Sequence, residues 1–112
     1  MKAKYAQAFH PLVLAEDPPA LAAIDPALVD AALAAVDDLS HGRRTGKALG
    51  QRHVSGDLTG LRRLRFDLAE SRPLRYRVVY RLFDGTVQVI AIGERRDHVI
   101  YREAVGRLPD DD

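Results

Sequence analysis

The stretch from Leu61 to Tyr101, LRRLRFDLAESRPLRYRVVYRLFDGTVQVIAIGERRDHVIY, constrains this chain more than any other. Two runs within it, Arg75–Tyr80 and Val87–Ile92, are rich in β-branched and aromatic residues. Asp84-Gly85 lies between them, and its glycine accepts the positive φ of a two-residue hairpin turn. An earlier run alternates, with Leu64, Phe66 and Leu68 on one face of an extended chain and Arg63, Arg65 and Asp67 on the other. In the following run Tyr76, Val78, Tyr80 and Leu82 share one face, and Arg75, Arg77, Val79 and Arg81 the other. Pairing these runs gathers arginines on one side of a three-stranded antiparallel sheet. The Val87–Ile92 run is apolar on both faces, as a central strand requires.

The flanking residues supply helices. Lys4–Phe9 alternates as a short first strand, ended by His10-Pro11. Pro18-Pro19 breaks the next apolar stretch, so a short helical piece is expected over Pro18–Ala23, with Asp17 as its N-cap. Asp25-Pro26 is a sharper start signal, and Leu28, Ala32, Ala35, Val36 and Leu39 form one buried stripe of a helix from Pro26 to Leu39. Gly42 suits its end. Arg43–Thr59 is polar and glycine-rich and reads as a long loop. Val99–Leu108 reads as a closing helix with Tyr101, Ala104, Val105 and Leu108 on one stripe. The expected fold is therefore α+β: an N-terminal strand, two helices, a three-stranded antiparallel meander and a C-terminal helix, forming one domain over residues 1–112 with an acidic tail at 109–112.

Composition narrows the chemistry. The chain has 112 residues, enough to bury one core. It has no cysteine, which excludes thiol catalysis and thiolate metal sites and suits a reducing cytoplasm. No apolar run reaches the length of a membrane span and no signal pattern opens the chain, so a cytoplasmic protein without a membrane partner is expected. The net charge of +1 conceals an uneven distribution: residues 1–40 carry −4, residues 41–107 carry +8, and Asp110–Asp112 carry −3. Fourteen of the seventeen cations are arginines, whose planar forks suit phosphate oxygens. The four histidines have no metal-ligand spacing, and no cofactor is implied.

Three segments carry a family resemblance: RYRVVY at Arg75–Tyr80, AIGERR at Ala91–Arg96, and VIYREAVGRL at Val99–Leu108. In their order and spacing the chain resembles the RelE/ParE-type toxins of bacterial type II toxin–antitoxin systems, with the RelE-like branch favoured. The resemblance implies a cognate antitoxin as partner, in a toxin–antitoxin hetero-oligomer, and a ribosome-dependent, metal-independent endoribonuclease that cuts mRNA in the ribosomal A site. It implies attack of a 2′-OH on the adjacent phosphate, with Arg63, Arg65, Arg77, Arg95 and Tyr101 at the positions of the catalytic set. His98 lies close enough to serve as a proton donor, and Arg62, Arg75, Arg81 and Arg96 are expected to contact RNA. The paired positions Arg63 and Arg65 are commonly lysine in that branch. Arginine, with a pKa above about 12, stabilises charge better than it moves protons. Two other readings stand beside this one: a ParE-like gyrase inhibitor, and a non-catalytic RNA- or protein-binding relic of the fold.

Overall fold

The computed structural model describes residues 4–52, 56–68, 74–94 and 99–107. Its elements run β1 (Ala6–Phe9), α1 (Pro11–Ile24), α2 (Ala27–Ser40), β2 (Lys47–Arg52), β3 (Gly56–Phe66), β4 (Tyr76–Phe83), β5 (Thr86–Glu94) and α3 (Val99–Arg107). The strands form one five-stranded sheet in the order β1-β5-β4-β3-β2. β1 runs parallel to β5, and the other pairings are antiparallel. The architecture is the expected α+β, and β3, β4 and β5 are the expected meander. Asp84 and Gly85 both take positive φ, 53° and 69°, between the paired residues Phe83 and Thr86. That is the turn whose twist matches the flanking strands.

The sheet has a core on each side. Towards α1 and α2, Val13, Leu21, Leu28, Val36 and Leu39 pack on Leu64, Phe66, Val78 and the rings of Tyr76 and Tyr80. Towards α3, Ile100, Tyr101 and Ala104 pack on Leu49, Leu61, Val79, Ile90 and Ala91. Strand alternation produces this division: residues 62, 64 and 66 of β3 point one way, and residues 61, 63 and 65 the other. No helix among the described residues is long and apolar enough to cross a membrane.

Two segments depart from expectation. The stretch expected as a loop, Arg43–Thr59, contains β2 and the first residues of β3. β2 reads KALGQR and has almost no apolar alternation. It is held by backbone pairing to β3, with Lys47 opposite Arg63, Ala48 opposite Arg62, and a bulge between Ala48 and Gly50. Gly46 leads into it through a tight passage. Its N–H donates to the Tyr80 hydroxyl at 2.7 Å, and a Cβ there would lie 2.5 Å from both that oxygen and the Arg63 carbonyl. Only glycine fits such an approach.

The second departure is α1, which starts at Pro11 and continues through Pro18 and Pro19 to Ile24. His10 caps it, Nδ1 accepting the Leu12 N–H at 3.1 Å. An internal proline forfeits a helical hydrogen bond and costs about 3 kcal/mol, so burial must compensate. Val13, Asp17 and Leu21 are the buried positions, one per turn. Asp17 is therefore no cap. It lies 5% exposed, and its Oδ2 accepts the Ile92 N–H and Arg107 Nη1, both at 2.8 Å, while Oδ1 accepts Arg107 Nη2 at 2.9 Å. Arg107 Nη1 also donates to the Ile90 carbonyl at 3.0 Å. β1 ends opposite Val89, so this ion pair satisfies the edge of β5 where its neighbouring strand stops. It also fastens α3 to α1. By contrast, α2 starts within one residue of expectation, at Ala27 with Pro26 in the N-cap place, and the Asp25 carboxylate accepts the Ala27 N–H at 2.9 Å.

Candidate functional site

The register of β3 against β4 sets Arg65 directly opposite Arg77, and Arg63 opposite Val79. All three arginines lie on the side that α3 covers, as the alternation predicts. Like charges directly opposed across a ladder are destabilising, so the Arg65–Arg77 opposition carries an electrostatic cost. The three are graded in depth: Arg65 is exposed, Arg63 half-buried, and Arg77 only 6% exposed. Tyr101, 1% exposed, reaches the same place from α3 and meets Arg77 through its hydroxyl. It thereby joins the apolar packing and the arginine group.

Arg77 is held from below. Its Nη1 donates to the carbonyls of Leu74 at 2.8 Å and Tyr76 at 2.9 Å. Its Nε is buried without a hydrogen-bond partner among the described residues, an arrangement that native structures rarely leave unexplained. Burial lowers the proton affinity of this guanidinium, the Tyr101 hydroxyl opposes that shift, and the charges of Arg65 and Arg63 add to it. An anion placed over the group would relieve both the burial and the repulsion.

The other sequence candidates lie elsewhere. Arg75 is occupied by Asp67, which accepts its backbone N–H at 3.0 Å, its Nε at 2.8 Å and its Nη2 at 3.1 Å. These bonds hold the Asp67 carboxyl at about 2, well below its usual range. Arg81 donates to Gln88 and lies over the Phe83 ring, 5.6 Å from its centroid, towards the hairpin turn. Arg62 stands apart from the α3-side group. Its parity places it on the opposite side of the sheet from Arg63 and Arg65, where it lines a cavity with Lys4, Tyr5, Arg44, Thr45 and Tyr80. Arg95, Arg96 and His98 lie outside the described residues.

Sequence reasoning missed Lys4, Arg44 and Thr45 as neighbours of Arg62, and Asp17 with Arg107 as a buried pair. For Asp17 a signal existed, an acidic residue one turn from Val13 and Leu21 on an apolar stripe. For the cavity none did, because its residues come from four separate segments.

The α3-side cluster can bind and stabilise negative charge. Three guanidiniums converge, a phenol supplies an O–H, and partial cover by α3 lowers the local dielectric so that each interaction strengthens.

A family model described as the ParE toxin of the type II toxin-antitoxin system parDE matches residues 4–99. No curated protein matches significantly. Among solved structures, a free-state E. coli RelE toxin with two arginines replaced by alanine is similar at a TM-score of 0.49 and 19% identity, over 96% of this chain and 100% of that one.

Proposed function

Because the chain belongs to the ParE toxin family of type II toxin–antitoxin systems, we propose that this toxin acts on RNA, cleaving mRNA on the ribosome until a cognate antitoxin neutralises it. The observation that carries this reading is the Arg65–Arg77 opposition with Arg63 beside it. The opposition of Arg65 and Arg77 sets like charges face to face, and a phosphate oxyanion over it would offset their repulsion. In the proposed reaction the ribose 2′-OH gives its proton to solvent water as its oxygen bonds to phosphorus, and the P–O5′ bond breaks. The products are a 2′,3′-cyclic phosphate and a 5′-OH that takes up a proton. Arg65 and Arg63, nearer solvent, hold the non-bridging oxygens, and buried Arg77 supports them from beneath as negative charge grows on the phosphorane. The arginines are poor proton carriers. The phenol of Tyr101 is the group beside them suited to deliver the proton.

A second reading is favoured by the family model itself: a ParE-like inhibitor that binds DNA gyrase and cuts nothing. Reconstituted translation with end mapping of the message separates the two. The nuclease reading expects cuts within translated codons that disappear with Arg65→Ala. Intact mRNA alongside growth arrest and a DNA-damage response would overturn it in favour of gyrase.

A further inference from the structure

We infer that the cavity between the β1 entry, the α2–β2 connection and β3 is a second anion site, built to take a phosphate oxyanion on the side of the sheet opposite Arg63, Arg65 and Arg77. Its volume is about 140 Å³, and Lys4, Arg44 and Arg62 line it together with Thr45. No carboxylate is among its lining residues within the described part of the chain. The nearest acid in contact with any of the three cations is Asp38, whose Oδ2 is 3.9 Å from Arg44 Nη1. That distance is too long for a hydrogen bond.

Two observations point to a missing acceptor. The Arg62 Nε is buried and has no hydrogen-bond partner among the described residues, although a buried charged donor is normally paired. Arg44 is already fixed in place, its Nη2 donating to the Arg65 carbonyl at 2.7 Å. Its guanidinium is therefore positioned before any ligand arrives, which reduces the ordering cost of binding. Lys4 stands at the rim, its Nζ 5.5 Å from the Tyr5 ring centroid. Two forked guanidiniums, an ammonium and a hydroxyl match the several oxygens of a phosphate better than the two of a carboxylate.

The site takes its ligand from a nucleic-acid backbone or from free phosphate, and the test separates these sources. Amide and arginine Nε–H resonances of the full ¹⁵N-labelled chain are followed during two titrations. One uses inorganic phosphate at constant ionic strength, the other an octamer of 2′-O-methyl RNA, which offers no 2′-OH to cleave. Saturable shifts confined to residues 42–45 and 62 are expected. Arg62→Gln is expected to weaken binding by about tenfold through loss of a charge-assisted pair, and exposed Lys4→Gln by about threefold. Saturation by the octamer at much lower concentration than phosphate assigns the site to a nucleic-acid backbone, whereas saturation by phosphate alone assigns it to the free ion. The inference fails if neither probe saturates these resonances, if acetate shifts them equally, or if the folded Lys4→Gln and Arg62→Gln variants titrate like the parent chain. Because the readout is residue by residue, failure here leaves the Arg63, Arg65 and Arg77 proposal untouched.

Discussion

Arg62 and Arg63 are neighbours in sequence and lie on opposite sides of one strand, so the two sides of the sheet can be compared through them. On the α3 side, Arg63 and Arg65 face Arg77 within a single pair of strands, and register alone brings them together. On the α1–α2 side, Arg62 meets Lys4 and Arg44, which arrive from before β1 and from the link between α2 and β2. One basic group is made by local pairing, the other by tertiary assembly. The first is covered by a helix whose position depends on apolar packing and on the buried Arg107–Asp17 pair, and the second by residues around an open cavity.

That dependence gives the largest expected effect. Asp17→Ala leaves Arg107 charged and buried with only the exposed Glu16 carboxylate at 3.5 Å, and strips the Ile92 N–H of its acceptor. Breaking a buried pair in this way costs about 3–5 kcal/mol, whereas replacing both members with apolar residues is often neutral. Urea unfolding should show that loss in Asp17→Ala and recover most of it in the double variant Asp17→Leu, Arg107→Met. The loss should fall on α3 first, so protection of the Tyr101 amide from hydrogen exchange should drop further than that of the Arg62 amide. Equal losses on both sides of the sheet would mean that the pair holds the whole fold rather than α3.

Activity supplies the next contrast. Arg65→Ala removes an exposed guanidinium aimed at the proposed phosphorane and should slow cleavage by about 100-fold, as loss of one oxyanion donor does. Arg62→Gln, on the far side, should leave the cleavage step itself unchanged and act only through binding. Its signature is a salt dependence of affinity whose slope falls by about 0.7 per lost contact with single-stranded RNA. If Arg62→Gln lowered single-turnover cleavage at saturating substrate as much as Arg65→Ala, the division between the two sides would be wrong.

The same division accounts for what the sequence made legible. Period-two alternation identified Arg63, Arg65 and Arg77 as one group because strand parity needs no tertiary information, and the Asp84-Gly85 turn fixed which strands paired. β2 was invisible, since KALGQR gains its place from backbone bonds to β3 rather than from its own side chains. Locally, Pro18-Pro19 argues for a shorter α1, while the burial of Val13, Asp17 and Leu21 that offsets it is tertiary. Arg62 is expected only as an RNA contact, and its parity with Leu64 and Phe66 separates it from Arg63 and Arg65. The burial of Arg77 and Tyr101 under α3 lay beyond any one-dimensional pattern.

The smallest expected effect concerns the arginine on the α3 side that already has an acid. Arg75 and Asp67 bridge the ends of β3 and β4, and the hydrogen bonds from Arg75 are the main cause of the low Asp67 value of about 2. A carboxyl normally titrates near 3.9 in an unfolded chain. The folded value is the lower one, so the stabilisation is complete above that range, is lost as the pH falls towards about 2, and is absent below it. In Arg75→Gln the Asp67 titration followed by NMR should move up towards the ordinary carboxyl range. The stability gap between the two proteins should then close between about pH 4 and pH 2 rather than at neutral pH. The guanidinium stands 52% exposed, so water screens the pair and the gap should be modest. The contrast with Arg77 is the point of the measurement. If Arg75→Gln also reduced cleavage as Arg65→Ala does, Arg75 would have to leave Asp67 for the substrate, and the α3 side would hold four phosphate-facing arginines instead of three.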